Sequence, residues 1–116
     1  KIITKIIKKY DINSYDVVLK YCKNVAFWNG NYSTVEDSQT IVITRKDITN
    51  SCLNNISAIL VHESTHLKIM NQKIKYTPYD EELFCYYTEL EFLRKIPNVE
   101  IWLINHTKKM INYYGE

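Results

Sequence analysis

Residues 60–69 read LVHESTHLKI. Leu60, Val61 and Leu67, with Ile59 just before them, set apolar residues at helical spacing, which predicts a largely buried helix. His62 and His66 lie four residues apart, so they share one face of that helix. Two imidazoles one turn apart can address one ion, and neutral imidazole suits zinc at about 2.0–2.1 Å. Glu63 projects about 100° further round the helix than His62. It would stand beside such an ion rather than on it, where a carboxylate can take a proton from activated water. Two histidines and a glutamate on a buried helix need polar partners, and a metal supplies them. The bland alternative is a solvated helix with two surface histidines and no metal.

The helix carrying this motif extends over about 50–72, with Leu53, Ile56, Ile59, Leu60 and Leu67 lining one side. Thr77-Pro78-Tyr79-Asp80 then gives a helix start: Thr77 as N-cap, Pro78 at the first helical position, Asp80 at the capping-box position. That helix is expected to stop near Ile96, before Pro97. Asn98 can cap a last helix carrying Val99, Trp102, Leu103, Met110 and Ile111. Upstream, Ile2, Ile3, Ile6 and Ile7 have helical spacing, and Asn13 to Asp16 reads as a capping box opening a short helix to about Asn24. Residues 25–28 and 31–34 flank Asn29-Gly30 and read as a hairpin with a tight turn. After a turn at 36–38, the β-branched run Thr40–Thr44 reads as a strand. The expected fold is α+β: a small twisted antiparallel sheet of about three strands, packed on the motif helix and a second, glutamate-bearing helix, with further helices at both ends.

A chain of 116 residues supports one domain, here 1–116, around one core. Hydrophobic residues at 46% and charged residues at 24% make a globular balance, not a disordered one. The net charge is +2 and the lysines are scattered, so no basic stripe points to nucleic acid. No apolar run approaches the length of a membrane span. Cys22, Cys52 and Cys85 lie far apart with no C-x-x-C pair, which reads as free thiols in a reducing compartment. With no signal peptide in view the expectation is cytoplasmic, left open because the first residue is Lys1 rather than Met. Nothing here speaks to oligomeric state. Cys85 reads as a small hydrophobe, and Trp28 and Trp102 as core anchors.

A catalytic zinc takes three protein ligands plus water. The third-ligand candidates are Asp80, Glu81, Glu82, Glu89 and Glu91 on the next helix, with His106 a distant alternative. Extending the motif itself would need Gly at 69 and His at 72, and the chain has Ile69 and Gln72.

HESTH followed by DEELFCYYTELEFL resembles the gluzincin metallopeptidases, and especially the very small minigluzincins. There a glutamate on a second helix completes the zinc site. The second stretch resembles the E-x-x-small-[Y/D] segment of that helix, with Cys85 as the small residue. This register implies His62, His66 and Glu82 as Zn2+ ligands and Glu63 as general base. Glu82, Tyr86, Glu89 and Leu93 then share a face, and Glu81 remains the alternative to Glu82. The resemblance implies a zinc metalloendopeptidase acting on an extended peptide or protein. Thr40–Thr44 stands where such enzymes pair a strand with substrate. Thermolysin-like enzymes place an Asp four residues after the ligand glutamate to orient a zinc histidine; here that residue is Tyr86. So Glu89 is the expected support for a histidine, and Tyr86 or Tyr87 a candidate oxyanion stabiliser, with core packing the plainer role for Tyr87. The resemblance spans roughly 25–96 and gives the terminal helices little to do. Its alternative is a zincin-fold binding or regulatory module, or a latent form in which the tail HTKKMINYYGE blocks the cleft and Glu116 or the terminal carboxylate reaches zinc.

Overall fold

Ile3, Ile6 and Ile7 recur every three or four residues, and α1 (Ile2–Tyr10) turns them toward the core while Ile2 stays exposed. The computed structural model describes residues 2–50 and 52–115. Helix α2 (Ile12–Tyr21) follows after a single break at Asp11. Asp11 is the N-cap: its carboxylate accepts from the Ser14 N–H at 3.1 Å and the Ser14 hydroxyl at 2.9 Å. The cap thus lies two residues before the expected Asn13. An acceptor that answers both donors of Ser14, with Lys95 Nζ 3.3 Å away, outcompetes the neutral amide.

Three strands follow: β1 (Asn24–Trp28), β2 (Thr34–Asp37) and β3 (Thr40–Thr44). The sheet order is β1-β3-β2. β1 runs parallel to β3, pairing Asn24 with Thr40 and Trp28 with Thr44. β2 runs antiparallel to β3, pairing Thr34 with Val42, with an irregularity between Val35 and Asp37. The α+β class and the three strands are as expected, but the sheet is mixed, and the hairpin across Asn29-Gly30 does not form. A type I′ turn needs positive φ, and no glycine has it. Gly30 instead lies under the Trp28 indole, where a Cβ would collide with the ring. The indole Nε1–H donates to the Tyr32 carbonyl at 3.1 Å and holds this bend. The true hairpin is β2–β3, closed by Asp37 Oδ1 accepting from the Gln39 N–H at 2.9 Å.

All five residues of β3 are buried, as a central strand requires. Its two edges are taken by β1 and β2, so Thr40–Thr44 cannot be the strand that receives a substrate. That expectation is corrected: the strand beside the site is β2.

Thr44 then opens α3 (Arg45–Asn50), its Oγ1 accepting from the Asp47 N–H at 3.0 Å. Helices α4 (Leu53–Asn71), α5 (Pro78–Arg94) and α6 (Ile101–Gly115) complete the chain. Thr77 caps α5 as expected, accepting from the Asp80 N–H at 3.1 Å. α5 stops at Arg94, and Asn98 adopts φ 57° rather than capping a helix, so α6 begins at Ile101. The core gathers Ile7, Ile41, Val61, Leu67, Phe92, Leu93 and Leu103 from five of these elements. Leu53, Trp28 and Trp102 are not in it: they are 50%, 40% and 53% exposed. Among the described residues no helix is long and apolar enough to cross a membrane.

Candidate metal and catalytic site

α4 is buried along most of its length, and His62, at 5% exposure, is buried with it. His62 and His66 present their rings on one face, with centroids 5.1 Å apart. α5 packs against that face and brings three carboxylates. The Glu82 carboxylate bridges both rings: Oε1 is 3.1 Å from His62 Nε2, and Oε2 is 3.2 Å from His66 Nε2. The opposite ring nitrogens are anchored separately. His62 Nδ1 is 2.9 Å from Glu89 Oε1, and His66 Nδ1 is 2.6 Å from Glu81 Oε2. The other Glu89 oxygen accepts from the Thr107 hydroxyl of α6 at 3.2 Å.

Each histidine therefore has a carboxylate on Nδ1, which fixes the ring and turns Nε2 toward the other histidine and Glu82. Two imidazole nitrogens and a carboxylate oxygen are a donor set that suits zinc. Cys85 offers a second set, since its thiol and the two histidines have donor atoms within 4.8 Å of one another. Burial first, and then the charges of Glu82, Glu63, Glu81 and Glu89, push the Cys85 thiol up. Glu82 touches both Nε2 atoms and so offers a third donor beside Cys85. His62 and His66, with Cys85 or Glu82 as a third donor, offer a set that would fit a divalent cation.

The charges of these side chains pull against their burial. Burial disfavours a charged His62, but the hydrogen bonds to Glu82 and Glu89 outweigh it and hold the ring up to about 10. His66 is raised likewise: burial opposes the shift, and Glu82 and Glu81 win. Burial would raise Glu82, yet its bonds to both histidines bring it down to about 2. Glu63 goes the other way. Burial dominates, the neighbouring histidines only temper it, and its carboxyl is pushed up to about 7. Burial, and then Glu89 and Glu82, raise the Tyr86 phenol, which stays protonated.

Glu63 lines a groove of about 590 Å³ together with Ser33, Asp47, Ile59, His62, Trp102 and His106. A second recess of about 390 Å³ continues past Tyr86 to Thr34, Val35, His66 and Tyr114. The Tyr86 ring lies 4.3 Å from the His62 ring and stacks on Tyr114, with centroids 5.8 Å apart.

Of the residues expected from the sequence, His62, His66 and Glu82 meet, and Glu63 and Tyr86 border the same space. Glu89 sits on His62, and Glu81 on His66 rather than between the rings. His106 borders the groove, Glu91 is exposed, and Tyr87 is half exposed rather than packed in the core. Two contributors lie in the tail expected at the cleft but not picked out individually, Thr107 and Tyr114, both on α6. No local pattern marks them, because their partners lie on α5. Glu116 lies outside the described residues, and with it the expectation that it reaches a metal. The chain matches no family model, no curated protein and no solved structure among known proteins.

Proposed function

We propose that this chain is a zinc metallopeptidase of gluzincin type. One observation carries the reading: a single Glu82 carboxylate spans the Nε2 atoms of both motif histidines while Glu89 and Glu81 anchor their Nδ1 atoms. His62, His66 and Glu82 would hold the zinc, which would supply the Lewis acidity that lowers the pKa of water and polarises a carbonyl. Glu63 accepts a proton from the attacking water and returns it to the departing amine as the peptide C–N bond breaks. The Tyr86 phenol, kept protonated by burial, is a hydrogen-bond donor for the developing oxyanion. β2 lines the recess through Thr34 and Val35 and pairs with β3 on one side, so its other edge suits an extended peptide backbone.

The test is metal content followed by cleavage. Purified protein is expected to hold about one zinc per chain, and Glu63→Gln to keep that zinc while losing peptide hydrolysis. Equal cleavage by Glu63→Gln would refute the mechanism. A second reading is a zinc-binding module that does not cleave. It is favoured by Tyr114, which stacks on Tyr86 and lines the recess beside His66 and Glu82. Wild-type protein that binds zinc but cleaves no peptide, even after removal of Tyr113 to Glu116, would select this second reading.

A further inference from the structure

We infer that Thr107 of α6 is a positioning residue for this metal centre, acting through Glu89 to fix the ring of His62. The inference rests on the zinc reading above. Its basis is a hydrogen-bonded chain across three helices, from Thr107 Oγ1 to Glu89 Oε2 at 3.2 Å and from Glu89 Oε1 to His62 Nδ1 at 2.9 Å. All three residues are buried: Thr107 at 0%, His62 at 5% and Glu89 at 7% exposure. Water therefore does not readily replace either contact. Among the described residues, His62 and Thr107 are the hydrogen-bond partners of Glu89, one on each oxygen.

Thr107 Oγ1 also lies 2.8 Å from the Leu103 carbonyl one turn back, so its one hydroxyl proton is shared between that carbonyl and Glu89 Oε2. That bond is the usual role of a threonine inside a helix, and it sets the χ1 rotamer. Here the rotamer it sets also places the hydroxyl against Glu89. A carboxylate gripped at one oxygen only can swivel about its last torsion. Gripped at both, it presents Oε1 to Nδ1 in one orientation. That orientation holds Nδ1 against Glu89 and aims Nε2 at the space it shares with His66 and Glu82.

The consequence is reciprocal. If docking of α6 orients His62, zinc binding must tighten α6 by the same free energy. The last helix, which looks like a packing element, belongs to the metal centre. Tyr114, seven residues beyond Thr107, engages α5 from the same helix through Tyr86.

The test compares wild type, Thr107→Val and Thr107→Ser. Valine keeps the volume and removes the hydroxyl; serine keeps the hydroxyl. Zinc affinity is read by competition with a chromophoric chelator, the ligand field by the visible spectrum of the cobalt(II) form, and stability by thermal melting of the chelator-treated protein. Thr107→Val is expected to weaken zinc binding about tenfold and to shift the cobalt spectrum, with Thr107→Ser close to wild type on both counts. Equal zinc affinity and equal cobalt spectra in wild type and Thr107→Val would overturn the inference and leave the metal centre standing. Loss in Thr107→Ser as large as in Thr107→Val would also overturn it, because packing of the methyl would then be responsible. Wild-type protein that takes up no zinc would overturn both this inference and the zinc reading. Should Thr107→Val not fold, Thr107→Ala against Thr107→Ser reads the same contrast, with weaker binding expected for alanine.

Discussion

Glu82→Ala separates the roles of three neighbouring carboxylates. Glu82 touches both Nε2 atoms, at 3.1 and 3.2 Å, whereas Glu81 and Glu89 each touch a single Nδ1. Structural zinc sites with four ligands bind with about 10–16 kcal/mol, or roughly 3 kcal/mol per ligand. Losing Glu82 should therefore weaken zinc binding on the order of a hundredfold or more. Losing Glu81 removes only the anchor of one ring and should cost roughly tenfold. Cys85 complicates the first value, because its thiol lies within 4.8 Å of the histidine donors and could stand in for the lost carboxylate. The decisive protein is thus Glu82→Ala/Cys85→Ala, set beside Cys85→Ala alone and Glu81→Ala. Zinc stoichiometry and chelator competition at pH 7.4 are the assay. Cys85→Ala should bind like wild type, Glu81→Ala somewhat more weakly, and the double variant hardly at all. Wild-type affinity in the double variant would refute the assignment of Glu82. A larger loss in Glu81→Ala than in Glu82→Ala would exchange the two roles.

Further outcomes follow from the same geometry. Zinc at about a hundredfold its dissociation constant should add about 2.7 kcal/mol to stability, seen as a rise in melting temperature that a chelator reverses. Phe92 is fully buried in the core, so Phe92→Ala should cost about 3–5 kcal/mol in chemical denaturation without being a test of the site. Asp11→Ala removes the α2 cap and the partner of Lys95, and should destabilise by about 1 kcal/mol in the same assay. Cys85 is fully buried with a raised thiol, so alkylation should reach it only in denaturant, while Cys52, which is partly exposed, reacts in the native protein.

The helices of the site were legible because their signals are local. The spacing of His62 and His66, the Thr77-Pro78 start and the seven-residue step from Glu82 to Glu89 all repeat within a few turns of one helix. What lay across the chain was not legible. The β1–β3 ladder joins residues sixteen positions apart, and nothing in 24–28 announces a parallel partner. Asn29-Gly30 carries the composition of a tight turn, but the indole of Trp28 took the space above the glycine and sent the chain elsewhere. Thr44-Arg45-Lys46-Asp47 has the local capping pattern that opens α3. Trp102 falls on an apolar rhythm that suggests the core, yet the groove claims it. Thr107 is a neutral residue inside a helix until Glu89, eighteen positions earlier, is brought against it.

The strand order β1-β3-β2 also bears on the route by which the chain folds. The β2–β3 pairing closes across a few residues, so it can form early at little entropic cost. β1 precedes the other two strands, yet it has no ladder to join until β3 is in place, because among the described residues β3 is its only strand partner. Of the three strands of this sheet, the first synthesised is thus the last to be zipped. Native-state amide exchange should register that order, with β3 amides facing β2 protected longest and the β1 amides released first.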